Sequence, residues 1–301
     1  MTIPRFPQAK VSANADFRLW KSLAAGLAVL GLGACADDAG PVGGIGAAPD
    51  QPLTGPQGRV GQFAVDCPWS HSAFDDPIVH PGHEGASHRH DFFGNTDTDA
   101  DSTYETLIEG DTTCTQRLDT ATYWAPSLLD AEGRPIEPVS ATAYYRAGAG
   151  VDAETVVPYP AGLMMVAGDA SAEEPQPTSV IAWACGASGA RKGRPAACPD
   201  GVGPRLLVTF PDCWDGENID SEDHRSHVAY SHGGECPADH PNPIPQLQFA
   251  IDYPSVSPDG LSLASGDIIT AHADFWNTWN QRKLETEVDA CLRRQLVCSL
   301  G

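Results

Sequence analysis

The chain has 301 residues, with 18 Lys and Arg against 40 Asp and Glu, a formal net charge of −22 at neutral pH. A surface of that sign repels nucleic acid and anionic lipid headgroups, so neither is an expected partner. Nine Cys, ten His, 30 Gly and 26 Pro direct attention instead to disulfides, long loops and imidazole chemistry.

Arg5, Lys10, Arg18 and Lys21 precede the apolar run 23–32, which is too short to cross a bilayer as a helix. A basic region, a short apolar stretch and small residues before a cleavage point make residues 1–34 a secretory signal. Leu32-Gly33-Ala34-Cys35 resembles the lipobox of bacterial lipoproteins, which implies a lipid on Cys35. The protein would then sit in the cell envelope, with the membrane as its partner through that anchor. The plainer alternative is a soluble exported protein with an incidental Cys35. Residues 1–34 hold four of the 18 basic and one of the 40 acidic residues, so the remainder carries 14 against 39, net −25. Residues 35–60 are rich in Gly, Pro and Ala without periodicity and read as a flexible tether. Residues 61–301 are long enough for one substantial core, with no internal linker or repeat.

Within that domain, 61–65, 139–146, 156–159, 163–167, 179–185, 205–210, 246–253 and 261–264 are short apolar or alternating runs separated by Gly- and Pro-rich turns. They predict a mainly β fold, a sandwich-like antiparallel domain with long loops. One segment, 276–295, has helical composition, with Leu284, Val288, Cys291 and Leu292 near helical spacing. It gives the fold a single C-terminal helix.

Setting Cys35 aside leaves eight Cys, the even number that a disulfide framework in an oxidising compartment requires. No pair has CxxC spacing, which argues against thiolate–metal chemistry. Cys185 with Cys198 and Cys213 with Cys236 are local pairs that each staple one loop. Cys291 and Cys298 are seven apart, about 10.5 Å along a continuous helix and beyond disulfide reach. The helix must therefore end between them if they pair. Cys67 and Cys114 pair by elimination.

The stretch 210–230, FPDCWDGENIDSEDHRSHVAY, follows a strand-like run and carries six carboxylates, two His, an Arg, a Trp and a Cys. Functional residues on a rigid scaffold often begin where a strand ends. All ten His fall into two clusters and one outlier: 71, 80, 83, 88 and 90; 224, 227, 232 and 240; then 272. The empty stretch between His90 and His224 predicts that the clusters meet in the fold. His88 and His90 are two apart, one face of an extended strand, and so are His272 and Asp274. His224 and His227 are three apart, one face of a helical turn, beside Asp223 and downstream of Asp215. His71, His80, His83 and His232 sit among turn residues without a carboxylate pattern and read as structural.

Three readings fit the remaining set. His is tunable across neutral pH and Asp orients it, which suits general acid–base catalysis. Neutral imidazoles with a carboxylate also ligate first-row divalent metals. Otherwise the groups are hydrogen-bonders of a loop-rich protein. No GxSxG, P-loop, HExxH or Gly-rich dinucleotide motif is present, which lowers support for those enzyme classes. Tyr123, Trp124, Trp214, Trp276 and Trp279 stand mostly in polar company, where aromatic rings can stack on sugars or simply fill a core.

Asp76-Pro77-Ile78-Val79 with Pro81-Gly82, then Ser87-His88-Arg89-His90-Asp91-Phe92-Phe93-Gly94-Asn95, resembles the opening of the DUF1996 family. Tyr123-Trp124-Ala125-Pro126-Ser127-Leu128, Phe210-Pro211-Asp212-Cys213-Trp214-Asp215-Gly216, 220–230, Ile244-Pro245-Gln246-Leu247 and His272-Ala273-Asp274-Phe275 continue the resemblance. It spans about 63–279 and implies a secreted protein associated with wall or extracellular polysaccharide, without a mechanism. The expected site is His88, His90, Asp215, Asp223, His224, His227, His272 and Asp274. Its expected role is cleavage of an extracellular glycan, by hydrolysis or elimination, with these groups as acids and bases. A metal-binding protein, redox-active or not, is the alternative, and a non-catalytic glycan-binding or envelope module the third.

Overall fold

The computed structural model describes residues 54–55, 58–59 and 61–300; the expected signal sequence, Cys35 and most of the expected tether lie outside them. Strands of four residues or more are β1 (Gln62–Asp66), β2 (Trp69–Ala73), β3 (His90–Gly94), β4 (Thr122–Pro126), β5 (Ser140–Arg146), β6 (Met164–Gly168), β7 (Ile181–Cys185), β8 (Pro204–Thr209), β9 (Gln246–Asp252), β10 (His272–Trp276) and β11 (Val297–Leu300). They form a six-stranded sheet in the order β7-β8-β9-β5-β1-β11 and a five-stranded sheet in the order β2-β3-β4-β10-β6. Every pairing is antiparallel except that of β11 with β1. The expected mainly β, antiparallel, sandwich-like class is what the chain adopts.

The side-chain period of two divides each strand between faces. In β10, Ala273 and Phe275 enter the core between the sheets, while Trp276 joins a separate cluster on the outer face of the five-stranded sheet. In β4, Tyr123 and Ala125 point inward and Trp124 outward. Aromatic contacts tie the layers: Phe93 and Tyr123 lie 5.2 and 5.1 Å from Phe249 across the sandwich. Phe275 is fully buried among them, so Phe275→Ala is expected to cost roughly 3–5 kcal/mol.

The outer face of the five-stranded sheet is only half apolar. Helix α1 (Tyr104–Glu109) begins at a Thr103/Thr106 capping box. Its Leu107 and the loop residue Ile78 cover Phe92, Trp124, Val166 and Trp276. The other half carries His90, His272 and Asp274.

Residues 156–159 do not form the expected strand. They read Val-Val-Pro-Tyr with Pro160 next, and prolines at two of five positions remove ladder donors. Val156 and Tyr159 are nonetheless buried, and the Tyr159 hydroxyl donates to the Pro245 carbonyl (2.5 Å). The helix also starts later than expected, at Gln281, because Trp276 belongs to β10 and Asn280 caps the helix by accepting from the Lys283 amide (3.1 Å). Helix α2 (Gln281–Glu287) runs into a π-helical turn, Val288–Arg293, and the chain then reverses through Gln295 at φ 54°.

All four disulfides form as read: Cys67–Cys114, Cys185–Cys198, Cys213–Cys236 and Cys291–Cys298. The last closes because the helix ends at Arg293, bringing the two Cα atoms to 6.0 Å. Four disulfides point to an extracellular or envelope compartment. Among the described residues, no helix is long and apolar enough to cross a membrane.

Candidate metal centre

On the polar half of that outer face, strands β3 and β10 bring together residues far apart in the chain. The ring centroids of His88 and His90 lie 4.2 Å apart, those of His88 and His272 5.0 Å, and those of His90 and His272 5.8 Å. Donor atoms of His88, His90 and His272 all lie within 4.8 Å of one another, and so do those of Asp76, His90 and Asp274. Two nitrogens on one zinc-sized ion are at most about 4.2 Å apart, so slight rotation of these side chains closes a shared coordination sphere.

The hydrogen bonds fix which atoms are free. His90 Nδ1 donates to the Asp75 carbonyl and His272 Nδ1 to the Thr270 carbonyl, each at 2.9 Å. A carbonyl only accepts, so both rings carry their proton on Nδ1 and present the Nε2 lone pair. Histidine ligands of metals are commonly oriented in this way. The Nε2 atoms of His88 and His90 and both carboxylate oxygens of Asp274 are buried without a hydrogen-bond partner. Asp76 uses one oxygen to accept the Ile78 and Val79 amides (3.1 and 3.0 Å). Gly168 at φ 85° ends β6 beside His272, where a Cβ would come within 2.8 Å of the His272 Cα. Only glycine fits that approach.

Electrostatics agree with neutral imidazoles. Burial, then the neighbouring His88 and His272, holds His90 well below its ordinary pKa. Burial pushes His272 down to about 4, and burial with His80 lowers His88. Burial, reinforced by Asp76, raises Asp274 well above the carboxylate range; Asp76 is raised by burial too. A cation among these groups would reverse the carboxylate shifts.

The centre floors a cleft of about 500 Å³ whose far wall includes Asp223, His224 and Arg225. That wall belongs to the 210–230 stretch. Its short strands Cys213–Trp214 and Val228–Ala229 pair with each other, and its loop seals the free edge of β6. There Met164 N–H donates to the Ile219 carbonyl (2.9 Å) and Arg225 Nη1 to the Val166 carbonyl (3.4 Å). His80 and His88 of the first His cluster and His224 of the second therefore border one cleft.

The expected site residues separate accordingly. His88, His224, His272, Asp223 and Asp274 line the cleft, and His90 lies beneath it. His224 sits at φ 57°, in the left-handed region, with Nδ1 held by the Asp220 carboxylate (3.0 and 3.1 Å). Asp223 accepts from Ser221 Oγ and from the Arg225 and Ser226 amides, bonds that keep it ionised far below the ordinary range. His227 points away: its Nε2 pairs with the Met164 carbonyl (2.7 Å) and its Nδ1 with Ser221 Oγ (2.9 Å). The helical turn that would have aligned it with His224 does not form. Asp215 closes its own turn by accepting the Glu217 and Asn218 amides (2.8 and 2.9 Å), outside the cleft.

Asp76, His80, Asp169 and Arg225 line the cleft without having been singled out in the sequence. Asp76 had one signal, its place twelve residues before His88 in the same motif series. His80 had none, since its neighbours are turn residues.

Two other groupings need comment. Cys67, Cys114 and Asp119 are close, but a disulfide has no thiolate to give a metal. Trp124 and Trp276 face the apolar half of the sheet with unpartnered indole N–H groups, away from the cleft lining.

No curated protein and no solved structure matches the chain. Residues 76–279 match the family model described as "Domain of unknown function (DUF1996)". That segment contains every residue of the candidate centre, and the chain belongs to the DUF1996 family.

Proposed function

We propose that this is an exported metalloenzyme that cleaves an extracellular or cell-wall polysaccharide. A first-row divalent ion would be held by His88, His90, His272 and Asp274 with Asp76. The observation that carries the metal is the set of unpartnered donors. Two imidazole Nε2 atoms and both oxygens of one carboxylate are buried together without a hydrogen bond. Leaving such groups unpaired costs about 1–3 kcal/mol each, and an ion at the His90 junction of the two triads offsets that cost. The nitrogen–oxygen donor set suits zinc, iron, manganese, nickel or copper better than calcium or magnesium. This favours the metal over a metal-free acid–base pair, because neutral buried imidazoles are good ligands and poor acids.

A cleft open to one side of the donors suits a catalytic rather than a structural ion. Such an ion supplies Lewis acidity at the bond to be cleaved. His224, oriented by Asp220, is the proton carrier on the opposite wall. Ser87, Ser171, Asp169, Asp223 and Arg225 give the lining a polar character that fits sugar hydroxyls. A signal ending in Cys35 supports lipid anchoring in the envelope; Cys35→Ser is expected to release the protein from the membrane fraction, and unchanged partitioning would remove the anchor.

The test is metal analysis of protein purified without chelator, followed by incubation with a panel of wall glycans. The expected result is about one ion per chain, lost in His90→Ala and Asp274→Ala. New reducing or unsaturated ends should accompany the loaded wild type only. A metal-free wild type overturns the metal, and a loaded but inert one overturns the glycan cleavage.

A further inference from the structure

The outer face of the other sheet carries an unpaired cationic pair. In β5, Tyr145 enters the core, so Tyr144 and Arg146 project to the opposite side. Arg146 pairs across the ladder with Gln62 of β1 and Gln246 of β9. Two residues along β9, on the same face, Gln248 accepts from Arg191 Nη2 (3.1 Å) and donates to Thr209 Oγ1 (2.9 Å). Its amide is fixed by those two bonds, and it holds the Arg191 guanidinium over the sheet. Positions i and i+2 of a strand are about 7 Å apart, so the two arginines reach the same area of surface.

Neither has an acidic partner. Arg89, Arg134, Arg194, Arg205, Lys283 and Arg293 each lie within 4.0 Å of a carboxylate. Among the described residues the half-buried Arg146 guanidinium has no ion pair or side-chain hydrogen bond. Burial and, after it, the neighbouring Arg191 charge push the Arg146 pKa down. In a chain with 40 acidic residues to 18 basic ones, two adjacent cations without a carboxylate form a local basic patch. An oxyanion set between them offsets the repulsion, since guanidinium binds such groups in a bidentate fork.

We propose that Arg146 and Arg191, with Gln246 and Tyr144, form a binding site for an acidic polysaccharide on the six-stranded sheet, separate from the metal cleft. Two cations can match only one or two anionic groups, and the half-exposed Gln246 amide and Tyr144 phenol offer partners for hydroxyls. Densely charged polymers such as nucleic acid are opposed by the net charge of −22. A sugar chain with spaced carboxylates or sulfate esters combines the required features.

Isothermal titration of the intact protein with oligogalacturonate, a sulfated galactan oligomer and neutral cello-oligosaccharide tests this at low and moderate salt. One or both acidic oligomers are expected to bind and the neutral one not; which of them binds identifies carboxylate or sulfate. Arg191→Gln, on an exposed side chain that cannot compromise the fold, and Arg146→Lys should each weaken binding at least about tenfold. Prior chelation should leave it unchanged. Absence of binding by either acidic oligomer overturns the site. So does binding that survives both variants, or binding lost on chelation, which would transfer it to the metal cleft.

Discussion

His90 and His272 lie with their rings 5.8 Å apart on one face of a sheet, each with Nδ1 committed to a backbone carbonyl and Nε2 turned toward the same point. Rings held in this way need only slight rotation to take up an ion, so binding should appear directly as stability. At free metal of 100 times Kd, the native state gains about 2.7 kcal/mol. For a domain of this size that is roughly a 5–10 °C rise in Tm. Scanning calorimetry of chelated and reloaded wild type should show it, and His272→Ala should show none. An equal rise in His272→Ala would remove His272 from the centre.

Much of this arrangement is legible before folding. His88-x-His90 and His272-x-Asp274 have strand spacing, and both pairs do share a face. The joining of β3 to β10 through β4 is not legible, because Tyr123-Trp124-Ala125-Pro126 is buried on both sides and shows no alternation. Strand β2 was hidden for the opposite reason: Ser70-His71-Ser72 is half-buried throughout and has no apolar face. His227 shows a further limit. Spacing of three places two residues together only on a helix, and the left-handed backbone at His224 breaks that register.

His227 is consequently expected to matter for stability rather than turnover. It is 1% exposed and joins the 210–230 loop to the edge of β6 through Met164 and Ser221. Replacing it by Ala leaves a buried carbonyl unpaired, a loss of about 1–3 kcal/mol. Urea denaturation should report that loss, while metal content stays at the wild-type value. Loss of metal from a folded His227→Ala would return it to the site.

A second buried network makes the fold pH-sensitive away from the cleft. Asp119 is fully buried and accepts from the Tyr123 hydroxyl (3.0 Å) and the Ala121 amide (3.1 Å). Tyr123 in turn meets the Tyr145 hydroxyl, which accepts from the Trp279 indole (3.2 Å). Burial dominates and raises the Asp119 pKa well above its ordinary value. A raised folded-state pKa means that the contribution of Asp119 is fully present below about pH 4. It is lost as pH rises through the folded value. The stability difference between wild type and Asp119→Asn should therefore move in favour of wild type as pH falls from 8 to 4. A difference independent of pH would mean that Asp119 stays ionised in the native state.

His224 offers the sharpest separation between binding and chemistry on the cleft wall. Its ring is oriented by Asp220 at 3.0 Å, and its backbone is held at φ 57°, a conformation costing of order 1–3 kcal/mol for a non-glycine residue. Strain at a cleft-lining residue fits a functional role for it. His224→Asn tolerates the same backbone but carries no titratable group, so the loop should keep its shape and the centre its ion. Turnover of loaded protein should nevertheless fall about 10²–10⁴-fold, the usual range for loss of a proton-transfer group. Asp220→Asn, which leaves the ring but not its orienting charge, should lie between wild type and His224→Asn. Full activity in His224→Asn with metal in place would confine the chemistry to the ion and its ligands. Loss of metal from that variant would instead make His224 part of the coordination shell.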